Sequence, residues 1–154
     1  MMLELHSVTI GQTIRDFSMT LMDGKIAWLT GDAGCGKTTL LRAIIGLIPI
    51  DGGHISIDGE LLTPLSAPYF RRQMAYVPQY LSVPDGYNED PTDYVKLVER
   101  AVNAGKQLLI IDEPHETLDE ERRRQVDAML AEALQRGCTI LAVGNGMNEN
   151  TSRL

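Results

Sequence analysis

The run Gly31-Asp32-Ala33-Gly34-Cys35-Gly36-Lys37-Thr38 sets four residues between a first glycine and a Gly-Lys-Thr triplet. Glycines let a loop turn tightly and aim its backbone N–H groups inward, where they cradle an anion. A helix opening at Lys37 would point the positive end of its dipole at the same place. Lys37 would then reach the β- and γ-phosphates of a nucleoside triphosphate, acting in catalysis as well as binding, and Thr38 would ligate Mg²⁺. Thr39 follows and is counted with the phosphate-binding residues. The bland alternative is a Gly-rich turn with an accidental lysine. Context argues against it, because an apolar run precedes the loop and an amphipathic run follows.

A second constellation is Leu108-Leu109-Ile110-Ile111-Asp112-Glu113. Four aliphatic residues closed by an acid read as a strand buried on both faces. Such a strand delivers Asp112 at its C-terminal tip, where open α/β sheets place their ligands. Asp112 would hold Mg²⁺, and Glu113 could polarise an attacking water as general base. The alternative is that both acids only cap the next loop; the phosphate loop upstream disfavours it.

Other residues with reactive side chains carry less. Cys35 lies inside the glycine-rich loop, where a small side chain is tolerated. His6, His54 and His115 share no metal-ligand spacing. Arg122-Arg123-Arg124 follows Glu120-Glu121 and reads as a solvated, salt-bridged helix face. Trp28 reads as core.

The elements that must position these groups follow from periodicity and breakers. Residues 3–10 and 17–22 read as strands around a polar turn at Gly11-Gln12. Residues 26–29 form a buried strand before the loop. Residues 37–45 form a helix, with Leu40, Leu41, Ile44 and Ile45 on one face and Gly46 as its stop. Residues 54–57 alternate and close on Asp58-Gly59, and 74–77 is a further strand. Residues 80–90 are loop, with Pro84, Asp85-Gly86 and Asn88. Asp90-Pro91 opens a helix that runs to Asn103 and stops at Gly105. Thr117-Leu118-Asp119-Glu120 fits a capping box, followed by a helix with Val126, Met129, Leu130, Ala133 and Leu134 on one face. Residues 139–143 form the last strand. The alternation predicts an α/β fold of the P-loop class, a mostly parallel central sheet with an N-terminal antiparallel β portion, in one domain over residues 1–154.

Composition bounds the partners. The formal net charge is −7, from 14 basic and 21 acidic residues, which argues against a nucleic-acid binder. No stretch is apolar enough to span a bilayer, since residues 40–50 are broken by Arg42, Gly46 and Pro49. No export signal is read at the N-terminus, and two cysteines suit a reducing cytosol. The expected location is cytoplasmic.

These motifs, in this order, resemble the nucleotide-binding domain of ABC (ATP-binding cassette) ATPases. Gly46-Leu47-Ile48-Pro49 with residues 51–59 is similar to that family's segment after the P-loop helix. Tyr76-Val77-Pro78-Gln79 resembles its Q-loop, which implies that Gln79 touches Mg²⁺ and senses the γ-phosphate. Asp112-Glu113-Pro114 resembles the Walker B ending, and Glu116-Thr117-Leu118-Asp119 the D-loop. The resemblance implies ATP and Mg²⁺ as ligands and hydrolysis to ADP and phosphate. It also implies a homodimer or a second nucleotide-binding subunit, a membrane permease as partner, and a peripheral place at the inner face of the membrane.

Four departures qualify it. Only 32 residues separate Gln79 from Asp112, less than half the family's usual span, so most of the helical subdomain is missing. No Leu-Ser-Gly-Gly-Gln signature exists; Leu81-Ser82-Val83-Pro84-Asp85-Gly86 shares two letters with it and reads as loop. Asn145 stands where the family's switch histidine belongs; it can hydrogen-bond a phosphate but carries no titratable proton. Ile10 takes the place of an adenine-stacking aromatic, and the chain stops at Leu154, short of the family's C-terminal strands. The expected activity is therefore weak or partner-dependent ATP hydrolysis within a transport-type complex. The alternative is a regulatory module that binds nucleotide without hydrolysing it. A nucleotide kinase fits less well, with no lid arginines beyond Arg71-Arg72.

Overall fold

The computed structural model describes residues 1–32, 34–78, 91–112, 118–144 and 151–154, with backbone alone at 91–93. Two sheets form. The first is antiparallel, in the order β2-β1-β4-β5, from β1 (Leu3–Ile10), β2 (Ile14–Leu21), β4 (Gly52–Ile57) and β5 (Glu60–Leu61). The second is parallel throughout, in the order β6-β7-β8-β3-β9, from β3 (Ile26–Thr30), β6 (Met74–Val77), β7 (Leu108–Asp112), β8 (Thr139–Val143) and β9 (Thr151–Arg153). Among the described residues there are also four helices: α1 (Lys37–Ile45), α2 (Ala67–Arg71), α3 (Pro91–Asn103) and α4 (Glu120–Gln135).

The parallel sheet divides the apolar residues between its two faces, because successive side chains of a strand point opposite ways. Leu108, Ile110, Leu141, Val143, Ala27 and Leu29 join α1 and the antiparallel sheet in one core. Leu109, Ile111, Ile140, Ala142 and Trp28 join the inner faces of α3 and α4 in the other. Strands covered on both sides must be apolar at every position, which is why β7 and β8 show no alternation in sequence.

In the antiparallel sheet a simple period of two fails. Leu3 and Leu5 are buried, then Val8 and Ile10, so the inward set changes parity within β1. The cause is an irregularity between Leu5 and Val8. Ser7 takes φ 48° and its N–H donates to Ser18 Oγ at 2.9 Å, while Asp16 on β2 takes φ 49°. An extra residue of this kind turns the rest of the strand over. Gly53 of β4 lies against the same place: its φ is +73°, and a Cβ there would collide with the carbonyl oxygens of His6 and Ser7. Gly53→Ala is therefore expected to cost about 2 kcal/mol or more, from left-handed strain plus a backbone clash. Urea denaturation would read this as a lower midpoint, and an unshifted midpoint would show that the bulge can relax.

Three expectations are corrected. β2 begins at Ile14, three residues before Phe17. The helix after residue 117 is capped by Asp119, not by Thr117, which lies outside the described residues. The Asp119 carboxylate accepts the Arg122 N–H at 2.9 Å. That bond holds its carboxyl below the usual value, and Glu120 and Glu121 in the first turn add to the match with the helix dipole. Ile10, expected to lie beside a nucleotide base, is only 9% exposed and packs into the first core. The bulge at Ser7 is the reason, since it swings Ile10 inward. The salt-bridged face expected around Arg122-Arg123-Arg124 includes the pairs Arg122–Asp119 and Arg124–Glu120.

Candidate functional site

The described residues of the glycine-rich loop lie between the tip of β3 and the head of α1. Gly34 and Gly36 take φ of +80° and +98°, a region that L side chains avoid. The Cys35 N–H donates to the Asp32 carbonyl at 3.1 Å, closing a tight turn, and the Leu40 N–H donates to the Gly36 carbonyl at 2.9 Å, opening the helix. Gly36 also abuts the β1–β2 turn: a Cβ on it would come within 2.6 Å of Thr13 Cγ2. Gly31 is equally constrained, since a Cβ there would collide with Cys35 Sγ. The role of Cys35 in this geometry is thus packing across the loop.

Helix α1 starts without a side-chain cap, its N-cap being Gly36, and has no acid in its first turn. The N–H groups at the head of a helix lack intrahelical acceptors. A helix head left uncapped and free of negative charge suits an anion. The Lys37 ammonium donates to the Gly31 carbonyl at 2.8 Å, bridging the two ends of the loop. Thr38 and Thr39 follow in the first turn.

Asp112 is the last residue of β7 and is 2% exposed. The register fixes its place relative to the loop. Asp112 lies opposite Val143, and Val143 opposite Leu29, two residues before Gly31. All three strands are parallel, so their tips share one edge of the sheet. Two strand spacings put Asp112 roughly 10 Å across from the end of β3. Mg²⁺ is characteristically held by one or two carboxylates with phosphate oxygens and water, not by an all-protein cage. A buried carboxylate at the sheet edge, with the Thr38 hydroxyl on α1, is a donor set of that sparse kind.

Two phenols surround Asp112, and neither was singled out from sequence. Tyr94 of α3 is 4% exposed, and its hydroxyl donates to the Asp112 carbonyl at 3.3 Å. Burial, then the Asp112 charge and then Tyr76, push its phenol far up, so it stays a donor at all ordinary pH. Tyr76 of β6, partly exposed, is raised by burial and by Asp112, against a smaller opposing pull from Arg42. Tyr94, Val98 and Val102 form a stripe at helical spacing; in sequence such a stripe signals only core.

Strand β9 adds a further neighbour. Thr30 lies opposite Arg153, Leu154 N–H donates to the Thr30 carbonyl at 2.8 Å, and the Arg153 guanidinium sits 3.5 Å from the Asp32 carboxylate. Four sequence candidates, Ala33, Gln79, Glu113 and Asn145, lie outside the described residues, as do residues 81–86.

The comparisons with known proteins agree with this arrangement. The family model for "ABC transporter" matches residues 14–141. The vitamin B12 import ATP-binding protein BtuD of Yersinia pseudotuberculosis is 25% identical over 197 aligned positions, covering 96% of this chain and 78% of that protein. That alignment is longer than the chain itself, so the relative carries segments without a counterpart here. The spermidine/putrescine import ATP-binding protein PotA of Aggregatibacter actinomycetemcomitans is 41% identical over 69 residues, 42% of this chain and 18% of that protein. The chain thus spans between about a fifth and about four-fifths of these two relatives. A solved structure described as the ATP-binding subunit of an ABC transporter superposes with a TM-score of 0.78 at 21% identity, over 93% of this chain and 79% of that one. The chain carries a glycine-rich loop at one strand tip of its parallel sheet and an acid at another, and the match of that family model to residues 14–141 makes it a member of the ABC transporter family.

Proposed function

We propose that residues 1–154 act as a single Mg·ATP-binding unit, the nucleotide-binding component of a transport-type complex. The observation that carries the reading is the shared edge: the glycine-rich loop at the tip of β3 and the buried Asp112 carboxylate at the tip of β7 face one sheet edge. Backbone N–H groups of residues 31–39 receive the phosphates, and Lys37 contacts the β- and γ-phosphates. Thr38, Asp112 and Gln79 supply the ligands for Mg²⁺, which when bound neutralises phosphate charge. Glu113 takes a proton from the water that attacks the γ-phosphorus; the bond from that phosphorus to the bridging oxygen breaks, the oxygen leaves with ADP, and inorganic phosphate is the second product. Asn145 hydrogen-bonds the γ-phosphate. The names of the relatives, import ATP-binding proteins, support a membrane permease and a second nucleotide-binding subunit as partners, at the cytoplasmic face of a membrane.

A second reading, a module that binds nucleotide and regulates without turning it over, is favoured by one observation: the sequence contains no Leu-Ser-Gly-Gly-Gln segment.

Titration calorimetry with Mg·ATP tests the binding claim, and absence of heat with any nucleoside triphosphate would refute it. Base selectivity is expected to be poor. Ile10 packs into the core, and the turn at residues 11–13 is Gly-Gln-Thr, which offers no ring for stacking. ATP and GTP affinities should agree within about tenfold, roughly 1.4 kcal/mol. A hundredfold preference for ATP would mean that another group reads the base.

A further inference from the structure

The turn between β1 and β2, residues 11–13, is closed by the facing pair Ile10 and Ile14, both buried in the first core. The core therefore fixes the two ends of the turn, while the three residues between them are exposed. One of the three reaches the glycine-rich loop. A Cβ on Gly36 would come within 2.6 Å of Thr13 Cγ2, so the threonine methyl lies against the N-cap residue of α1. The hold on the turn comes from elsewhere in the chain. Asp51, the residue before β4, grips it twice. Its N–H donates to the Thr9 carbonyl at 2.8 Å, and its carboxylate accepts the Gly11 N–H at 2.6 Å. Gly11 takes φ 54° and has nothing within 4 Å of a Cβ position, so packing does not restrain it. A glycine has the widest choice of backbone angles, and the bond to Asp51 narrows that choice.

We infer that Asp51 is a positioning residue for the phosphate end of the nucleotide site, acting through the β1–β2 turn on Gly36. This rests on the reading of the glycine-rich loop and the head of α1 as the phosphate cradle. The carboxylate fixes the Gly11 peptide, and two residues on Thr13 is set against Gly36. Gly36, at φ +98°, has no side chain of its own to steady it. With the turn held, the loop is preorganised for an anion. With the turn loose, binding must also order it, which weakens the complex. The charge of Asp51 acts the other way, since a carboxylate by itself repels a phosphate. The two effects have opposite signs, so substitutions separate them.

Dissociation constants for Mg·ATP and for magnesium tripolyphosphate are measured by calorimetry on the whole chain, well below the melting temperature of each variant. Asp51→Ala removes the acceptor and the charge, whereas Asp51→Asn removes the charge and keeps an acceptor oxygen. The expected result is binding about threefold to tenfold weaker in Asp51→Ala, the worth of one hydrogen bond, equally for both ligands. Asp51→Asn should bind as the unsubstituted chain does. Thr13→Ser removes the methyl that meets Gly36 and should also weaken binding. The double variant Asp51→Ala/Thr13→Ser should lose less than the two single losses combined, because both act on one contact. Unchanged or tighter binding in Asp51→Ala, an equal loss in Asp51→Asn, a loss confined to Mg·ATP, or additive losses in the double variant would each overturn the positioning role and leave the binding reading standing. Failure of the unsubstituted chain to bind either ligand would overturn both.

Discussion

Purified alone, the chain is expected to bind nucleotide and hydrolyse it far below the roughly 1 s⁻¹ usual for the slower enzymes. Hydrolysis needs a poised water, a neutralised γ-phosphate and a site closed to solvent. Glu113 would serve the first requirement. Lys37, the loop N–H groups and the Asp112-bound ion would serve part of the second. In the family, the signature segment of a facing subunit completes the second and third, with help from the switch histidine. Residues 1–154 contain no such segment, and the family resemblance implies Asn145 in the histidine's place. Charge stabilisation supplied by a partner at phosphoryl-transfer sites is worth about 10³–10⁵ in rate, so its loss outweighs any other single effect here. Glu113→Gln should change ATP affinity little and lower an already low rate. A coupled assay giving several turnovers per second, abolished in Glu113→Gln, would show that the chain builds a complete site unaided and would remove the regulatory reading. Addition of a full-length nucleotide-binding partner should raise the rate if the enzymatic reading is right.

Lys37 governs the second large effect. A ligand at about 100 times its dissociation constant stabilises the folded state by about 2.7 kcal/mol. For a chain of this length that corresponds to about 5–10 °C in melting temperature. Mg·ATP and Mg·ADP should both produce the shift, because the loop and α1 grip phosphates common to the two. In Lys37→Ala the shift should vanish: the ammonium that neutralises the phosphates is gone, and so is the bond to the Gly31 carbonyl that ties the loop ends together. The variant's own melting point, without nucleotide, separates the two losses. A full nucleotide shift in Lys37→Ala would mean that the loop amides suffice and that the lysine belongs to chemistry alone.

Much of this architecture is legible in the sequence, and the reasons are specific. The bounds of α1, β6, α3 and β8 follow from breakers and runs that agree with one another: Gly36 and Gly46 around an amphipathic nine-residue stretch, Asp90-Pro91 and Gly105 around α3, and aliphatic blocks closed by polar residues. Local and global preferences coincide there. The elements that escaped are those whose existence depends on distant partners. Helix α2 is five residues long with a proline in its first turn, too short for a period. β5 has two residues and β9 is Thr-Ser-Arg, polar throughout. Each is a strand only because a neighbour, β4 or β3, presents free backbone groups to it. The placement of Ile10 was missed because the Ser7 bulge is invisible to a period of two. Tyr94 was missed because the same stripe that locates it as core hides what its hydroxyl reaches. The glycine-rich loop and Asp112 stand out in the sequence because the residues of each motif are consecutive.

The position of β3 within its sheet has a consequence for the order in which the molecule can be assembled. Its hydrogen-bonded neighbours are β8 and β9, so Ile26 finds its partner at Ile140 and Thr30 at Arg153. The antiparallel strands β1, β2, β4 and β5 need nothing beyond Leu61. A chain emerging from the ribosome can therefore pair the strands of its first sheet before β6, β7, β8 and β9 are made. The strand that carries the glycine-rich loop must wait for β8 and β9, which begin at Thr139 and Thr151, and contacts so distant in sequence are slow to form. Until then the glycine-rich loop has been synthesised, but the strand that holds its leading end has no lateral support. The glycine-rich loop thus gains its lateral support only after β8 and β9 have been synthesised.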